Sequence, residues 1–225
     1  MPEWSRLKVM AHIHLEDGSF SLLWVAVWWT FAIILIGIAI YLMRSEKKPD
    51  RRKITLAAFC TAAAFAVFQV NIPIFGGVHL NLTPLIGILA GPVAGSLVVL
   101  IINILSAAIG HGGWGLVGAN TLVNIVEVAM GYATFRLLKS TIPDLFSRAG
   151  IATIFGLLCG NIIMIFIIVI SGVQGVNQST GQILTGLSLL AAVNMGVAVI
   201  EAFVTGLIVA YIGKVRPDLL IGDRP

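Results

Sequence analysis

From Phe20 onward the chain is a succession of apolar runs, most of them long enough to cross a bilayer, joined by short polar segments. A helix needs about 20 apolar residues to span a hydrocarbon core of about 30 Å. The runs are Phe20 to Met43, Ile54 to Phe75, Leu80 to Ala90, Pro92 to Ile109, Gly115 to Leu138, Ile151 to Val173, and Ile183 to Ile212. Five are comfortable spans. The third and fourth share only about thirty residues around Gly91-Pro92, or about 45 Å of helix where two full crossings need nearer 60 Å, so something there is short or re-entrant. The first run is too long for the core of a signal peptide and no small-residue cleavage site follows it, so it is expected to stay as a helix. With 58% hydrophobic and 11% charged residues the apolar content exceeds what a soluble core requires. The expected fold is an all-α polytopic membrane protein.

Charge sets the parity. Arg44, Lys47, Lys48, Arg51, Arg52 and Lys53 fill the first joint; Arg136, Lys139 and Arg148 follow the fifth run; Lys214, Arg216 and Arg224 follow the seventh. If all seven runs cross, these residues share one side, which the positive-inside bias makes cytoplasmic. The expectation is therefore seven helices with the N-terminus extracytoplasmic and the C-terminus cytoplasmic. They form a single transmembrane domain over residues 1–225: an extracytoplasmic segment 1–19, a bundle 20–213 and a tail 214–225. The net charge of +4 then reflects orientation and anionic lipid, and nucleic acid is rejected as a partner. Cys60 and Cys159 fall inside apolar runs and read as small buried side chains.

On that topology all four histidines face outward: His12 and His14 before the first run, His79 after the second, His111 after the fourth. One external histidine is ordinary. Four on one face point to a collector of transition metal, because imidazole nitrogen favours nickel, copper, cobalt or zinc over magnesium and calcium. His79 follows Gly76-Gly77 and His111 lies between Gly110 and Gly112-Gly113, where bare backbone permits tight loops. Simple turn chemistry explains those glycines equally well.

Three stretches carry a resemblance to a known family: Ile13-His14-Leu15-Glu16-Asp17-Gly18, "IPIFGGVHLNLTPLIGILAGPVAG" from Ile72 to Gly95, and "GHGGWGLVGAN" from Gly110 to Asn120. The chain resembles the substrate-capture (S) component of cobalt and nickel energy-coupling-factor transporters, the CbiM/NikM family. The resemblance implies a seven-helix S-component that takes Ni(II) or Co(II) as transported substrate and holds no permanent cofactor. It also implies separate partners: a transmembrane coupling subunit, ATPase subunits and a small accessory membrane subunit. The family's ligands are the N-terminal amine, the next backbone nitrogen, the second-position histidine and the loop histidine, which transfer here to His14 and His79. A planar nitrogen set suits Ni(II) and not Mg(II).

The pattern departs at the N-terminus, where thirteen residues precede His14. Either the mature chain starts at Ala11 after Met10, which puts His12 in second position, or His12, His14, His79 and His111 form an all-imidazole site. His111 stands where the family usually has aspartate. Asn120 is carried over as an orienter of the ligands.

Two carboxylates interrupt the apolar runs. Glu127 lies about 18 Å from the outer end of the fifth run and Glu201 about 17 Å from the inner end of the seventh. Each reads as a protonated structural group or as a cation relay. Ala58, Ala62 and Ala66 make a small-residue stripe for close helix approach, to an internal neighbour or to the coupling subunit. Trp24, Trp28 and Trp29 read as interfacial anchors, and Asn71, Asn103, Asn161 and Asn194 as interhelical hydrogen-bond formers. Two other functions compete: an S-component-like transporter for another small solute and an intramembrane metalloenzyme. No GK[ST] phosphate loop occurs, so the chain is not expected to be an enzyme, and ATP hydrolysis is expected on another chain.

Overall fold

The computed structural model describes residues 18–45, 51–68, 80–110, 113–173 and 180–220. Within them are six α-helices: α1 (Leu22–Ser45), α2 (Arg51–Phe68), α3 (Thr83–Ala108), α4 (Val117–Leu137), α5 (Leu145–Ser171) and α6 (Thr180–Val215). Short 3-10 turns cover Trp114–Leu116 and Pro217–Leu219. All but α2 are long and apolar enough to cross a membrane. From α2 to α6 each helix packs on its chain neighbour, and α1 lies across α4 and α3. Leu22, Leu23, Phe31 and Tyr41 of α1 and Leu189 and Tyr211 of α6 are exposed. In lipid such a surface is solvated, whereas in water it would be a liability.

The expected third and fourth crossings are one element, α3, broken at Gly91 (φ 78°, ψ 168°). Only glycine adopts that backbone readily. Pro92 follows, with no N–H to continue the ladder and a ring that drives its predecessor out of helix. The first arm, Thr83–Ala90, is about 12 Å long and too short to cross alone. It folds back: a Cβ built on Gly95 in the second arm would lie 3.4 Å from Ile86 Cγ2 in the first, although in a straight helix those residues sit about 13 Å apart along the axis. Both arms rest on one point of α4, because Gly87 and Gly95 each abut Val128. The seven expected runs thus yield six helices in the described residues, one of them re-entrant at its start.

Helix α5 begins earlier than hydropathy places it. Asp144 caps it, its Oδ2 accepting the Ser147 N–H at 2.8 Å. Arg148, expected in a loop, therefore lies in the first turn and is buried, its guanidinium carbon 4.2 Å from the centre of the Phe135 ring. Its charge belongs to the packing between α4 and α5.

The two ends of the bundle differ. At one, Trp28 Nε1 donates to Ser171 Oγ at 2.8 Å and Trp29 Nε1 to the Trp114 carbonyl at 3.3 Å, so two of the tryptophans expected as interfacial anchors fasten α1 to α5 and to the 3-10 turn before α4. At the other lie Arg44, Arg136 and Lys214, in the last turns of α1, α4 and α6.

Glycine brings α3, α4 and α5 into backbone contact. A Cβ on Gly156 would lie 2.9 Å from the Glu127 carbonyl oxygen and 3.1 Å from Gly131 N, and one on Gly131 would lie 2.8 Å from Pro84 Cβ. Gly156→Ala should lower stability by about 1–3 kcal/mol through overpacking. Gly196→Ala, where a Cβ meets nothing within 4 Å, should be neutral or slightly stabilising. Thermal midpoints of the two variants in one detergent check the contrast.

Candidate functional site

The chain enters α3 through Leu80, Asn81 and Leu82. Leu82 has φ 54° and ψ 21°, the one left-handed non-glycine among the described residues, and no side chain of its own caps the helix. A helix start leaves N–H groups without intrahelical partners, and inside a bundle something else must accept them. Here two buried glutamates meet that start.

Glu201 of α6 sends Oε2 to the Asn81 N–H at 3.1 Å, and the Leu82 N–H also bonds to its carboxyl group. Glu127, near the middle of α4, accepts the Thr83 hydroxyl at 2.6 Å. Asn81, Thr83, Glu127 and Glu201 are all buried. The Glu127 carboxyl lies directly against Gly160 of α5, where any Cβ would overlap it. Three consecutive residues are thus gripped by acids from two different helices, and a third helix makes room with a glycine. Successive N–H groups around a left-handed residue form an anion-binding concavity, and the positive end of the helix dipole adds to it.

Both glutamates therefore have hydrogen-bond partners within the bundle. Thr83 and the backbone of Asn81 and Leu82 were missed in the sequence. The signal available was Thr83-Pro84, a helix-start pair. Glu201 Oε1 is buried with no hydrogen-bond partner among the described residues, as are Asn194 Oδ1 and Thr205 Oγ1 on the same face of α6.

His12, His14, His79 and His111 lie outside the described residues. Among the described residues no three His, Cys, Asp or Glu side chains gather as metal ligands. His79 immediately precedes Leu80, and His111 follows Gly110 at the joint between α3 and α4. Asn120 is half-buried in the first turn of α4. Ala58, Ala62 and Ala66 are exposed on α2, with Phe59 beside them. Cys60 is buried, Cys159 half-buried, and both are free thiols.

The asparagines bond between helices as expected wherever they are described. Asn194 Nδ2 donates to Asn161 Oδ1 at 2.9 Å across α5 and α6, and Asn103 Nδ2 to Thr121 Oγ1 at 3.3 Å across α3 and α4. Asn71 lies outside the described residues.

Comparison with known proteins bears on what these elements serve. A chain of Archaeoglobus fulgidus, named for fused nickel transport, is 29% identical over 214 residues, covering 92% of this chain and 68% of its own length. The cobalt transport protein CbiM of Sorangium cellulosum is 25% identical over 217 residues, 92% of this chain and 94% of its own. A crystal structure of a transition metal transporter superposes with a TM-score of 0.77 at 21% identity, over 90% of this chain and 93% of that one, and shows that the fold is shared. The family described as the cobalt uptake substrate-specific transmembrane region, CbiM, matches residues 14–219. This multi-pass membrane chain belongs to that family of cobalt and nickel transport components.

Proposed function

We propose that the chain captures Co(II) or Ni(II) on its extracytoplasmic face and delivers the ion into an energy-coupling-factor transporter. The observation that carries this reading is the family match over residues 14–219, which starts on one of the four histidines. His79 and either His14 or His12 are the principal ligands, with His111 beside them and Asn120 orienting them from the start of α4. If the mature chain begins at Ala11, the terminal amine and the following backbone nitrogen complete a planar set around His12. Otherwise the histidines supply every nitrogen. Both sets suit a borderline transition metal and reject magnesium.

Charge supports the orientation. The end of the bundle that carries Arg44, Arg136 and Lys214 is the cytoplasmic one by the positive-inside bias. His111 then lies at the opposite, extracytoplasmic end, because it joins the last turn of α3 to the start of α4. Purified full-length protein should bind about one equivalent of Co(II), with the ligand-field absorption of a nitrogen-rich site. His79→Ala should abolish saturable binding. Equilibrium dialysis with visible spectroscopy checks this, and unchanged binding in that variant would overturn the ligand assignment.

Energy comes from other chains. A transmembrane coupling subunit, ATPase subunits and a small accessory membrane subunit complete the transporter. The exposed stripe Ala58, Ala62, Ala66 on α2 is the surface for the coupling subunit, since small side chains let helix backbones approach closely. Ala62→Leu should therefore leave Co(II) binding to the isolated chain unchanged and reduce uptake several-fold when the partners are co-expressed. Equal uptake by the two would sink that surface.

A further inference from the structure

Asn81 and Leu82, just before α3, and Thr83, its first residue, are held by acids from two other helices. Leu82 holds a left-handed conformation that a branched side chain resists. The surroundings must impose it, and strain of this kind collects where geometry matters for function. Two groups do the imposing. Glu201 takes the Asn81 N–H and Glu127 the Thr83 hydroxyl, so the strained residue is pinned on both sides. Glu201 comes from a helix 120 residues further along the chain than Asn81, so this grip is tertiary and not a local cap. The restrained segment begins two residues after His79.

We propose that Glu201 is a positioning residue for metal capture: its carboxylate fixes the backbone of Asn81 and Leu82, which follow His79 closely along the chain. The proposal rests on the reading of His79 as a ligand. What Glu201 contributes is an acceptor oxygen at one reach, and its negative charge is not what the role requires. Asn81 N to Oε2 is already 3.1 Å, near the long end of an N–H to oxygen bond. Removing one methylene withdraws the acceptor by about 1.5 Å, which puts it out of hydrogen-bond range. Glutamine keeps the reach and offers a carbonyl oxygen. Its amide nitrogen would occupy the place of Oε1, which has no partner among the described residues.

That separates three roles by two conservative variants. A positioning role predicts that Glu201→Gln keeps Co(II) affinity within about threefold, whereas Glu201→Asp weakens it by at least about tenfold, the usual scale for losing a group that orients a ligand. A cation relay depends on charge and predicts the reverse order. A purely structural role moves stability without moving affinity. The experiment is Co(II) titration of purified full-length protein, read by affinity and by the visible spectrum, with amide hydrogen exchange of Asn81 and Leu82 in the metal-free protein. The expected result is weakened binding, an altered ligand-field spectrum and faster exchange in the aspartate variant, with all three near wild type in the glutamine variant. Wild-type affinity in the aspartate variant, or loss of affinity in the glutamine variant, would overturn the proposal. His79→Ala in the same titration keeps the premise separate: if it binds normally, the ligand assignment has failed, while the exchange rates still report whether Glu201 holds this backbone.

Discussion

Backbone N–H groups buried among apolar helices must find acceptors, and in this bundle that requirement falls hardest on the start of α3. In a membrane only closed hydrogen-bonding arrangements survive, and irregular backbone persists only where protein surrounds it. A short arm turned back at Gly91 places an open helix end inside the bundle. Glu201 accepts backbone N–H groups at that end, Glu127 accepts the hydroxyl of its first residue, and Gly160 is small because the Glu127 carboxyl has to fit. The two acids, the left-handed leucine and the glycine are parts of one solution. An acid buried alone would be costly, and so would an open helix end, but each supplies what the other lacks.

Much of this was legible in the residues, and the limits have physical causes. Hydropathy locates the helices because lipid asks for unbroken apolar length, and Gly91-Pro92 marks the re-entrant arm because no other pair breaks a helix so sharply. Hydropathy misplaces the start of α5, since Asp144 and Ser147 cap a polar first turn that an apolar scan discounts. For the same reason Arg148 reads as a loop charge, although it is buried against Phe135. The glutamates are conspicuous in sequence, but their partners are not. Asn81 and Glu201 are far apart along the chain, and nothing local to either announces the other. The family is visible in His14, the Ile72 to Gly95 stretch and the Gly110 to Asn120 stretch, and the match over residues 14–219 agrees.

The tryptophans show how one kind of side chain can answer two demands. An indole at the end of a membrane helix satisfies the interface by its amphipathic character. Trp28, which is buried, and Trp29 donate instead to Ser171 and the Trp114 carbonyl, so their polar N–H groups serve packing within the bundle. Helix α1 is largely exposed, and it meets the bundle through buried Trp28, Ala32, Ile36 and Ala39 and a backbone approach to Gly118 of α4. Two indole N–H groups at one end add direction to a placement that the close approach at Gly118 already restricts.

The glycines between α3, α4 and α5 have a mechanical meaning. Helices in backbone contact at Gly87, Gly131 and Gly156 leave no compressible side chains between them, so they cannot shear without separating. The three form a plate. Helix α2 packs on one edge of it through α3, and the alanine face of α2 points away. Any rearrangement during a transport cycle is then most economical as a rigid tilt of the whole plate or a swing of α2 about its edge, with the pinned start of α3 carried along as a passenger.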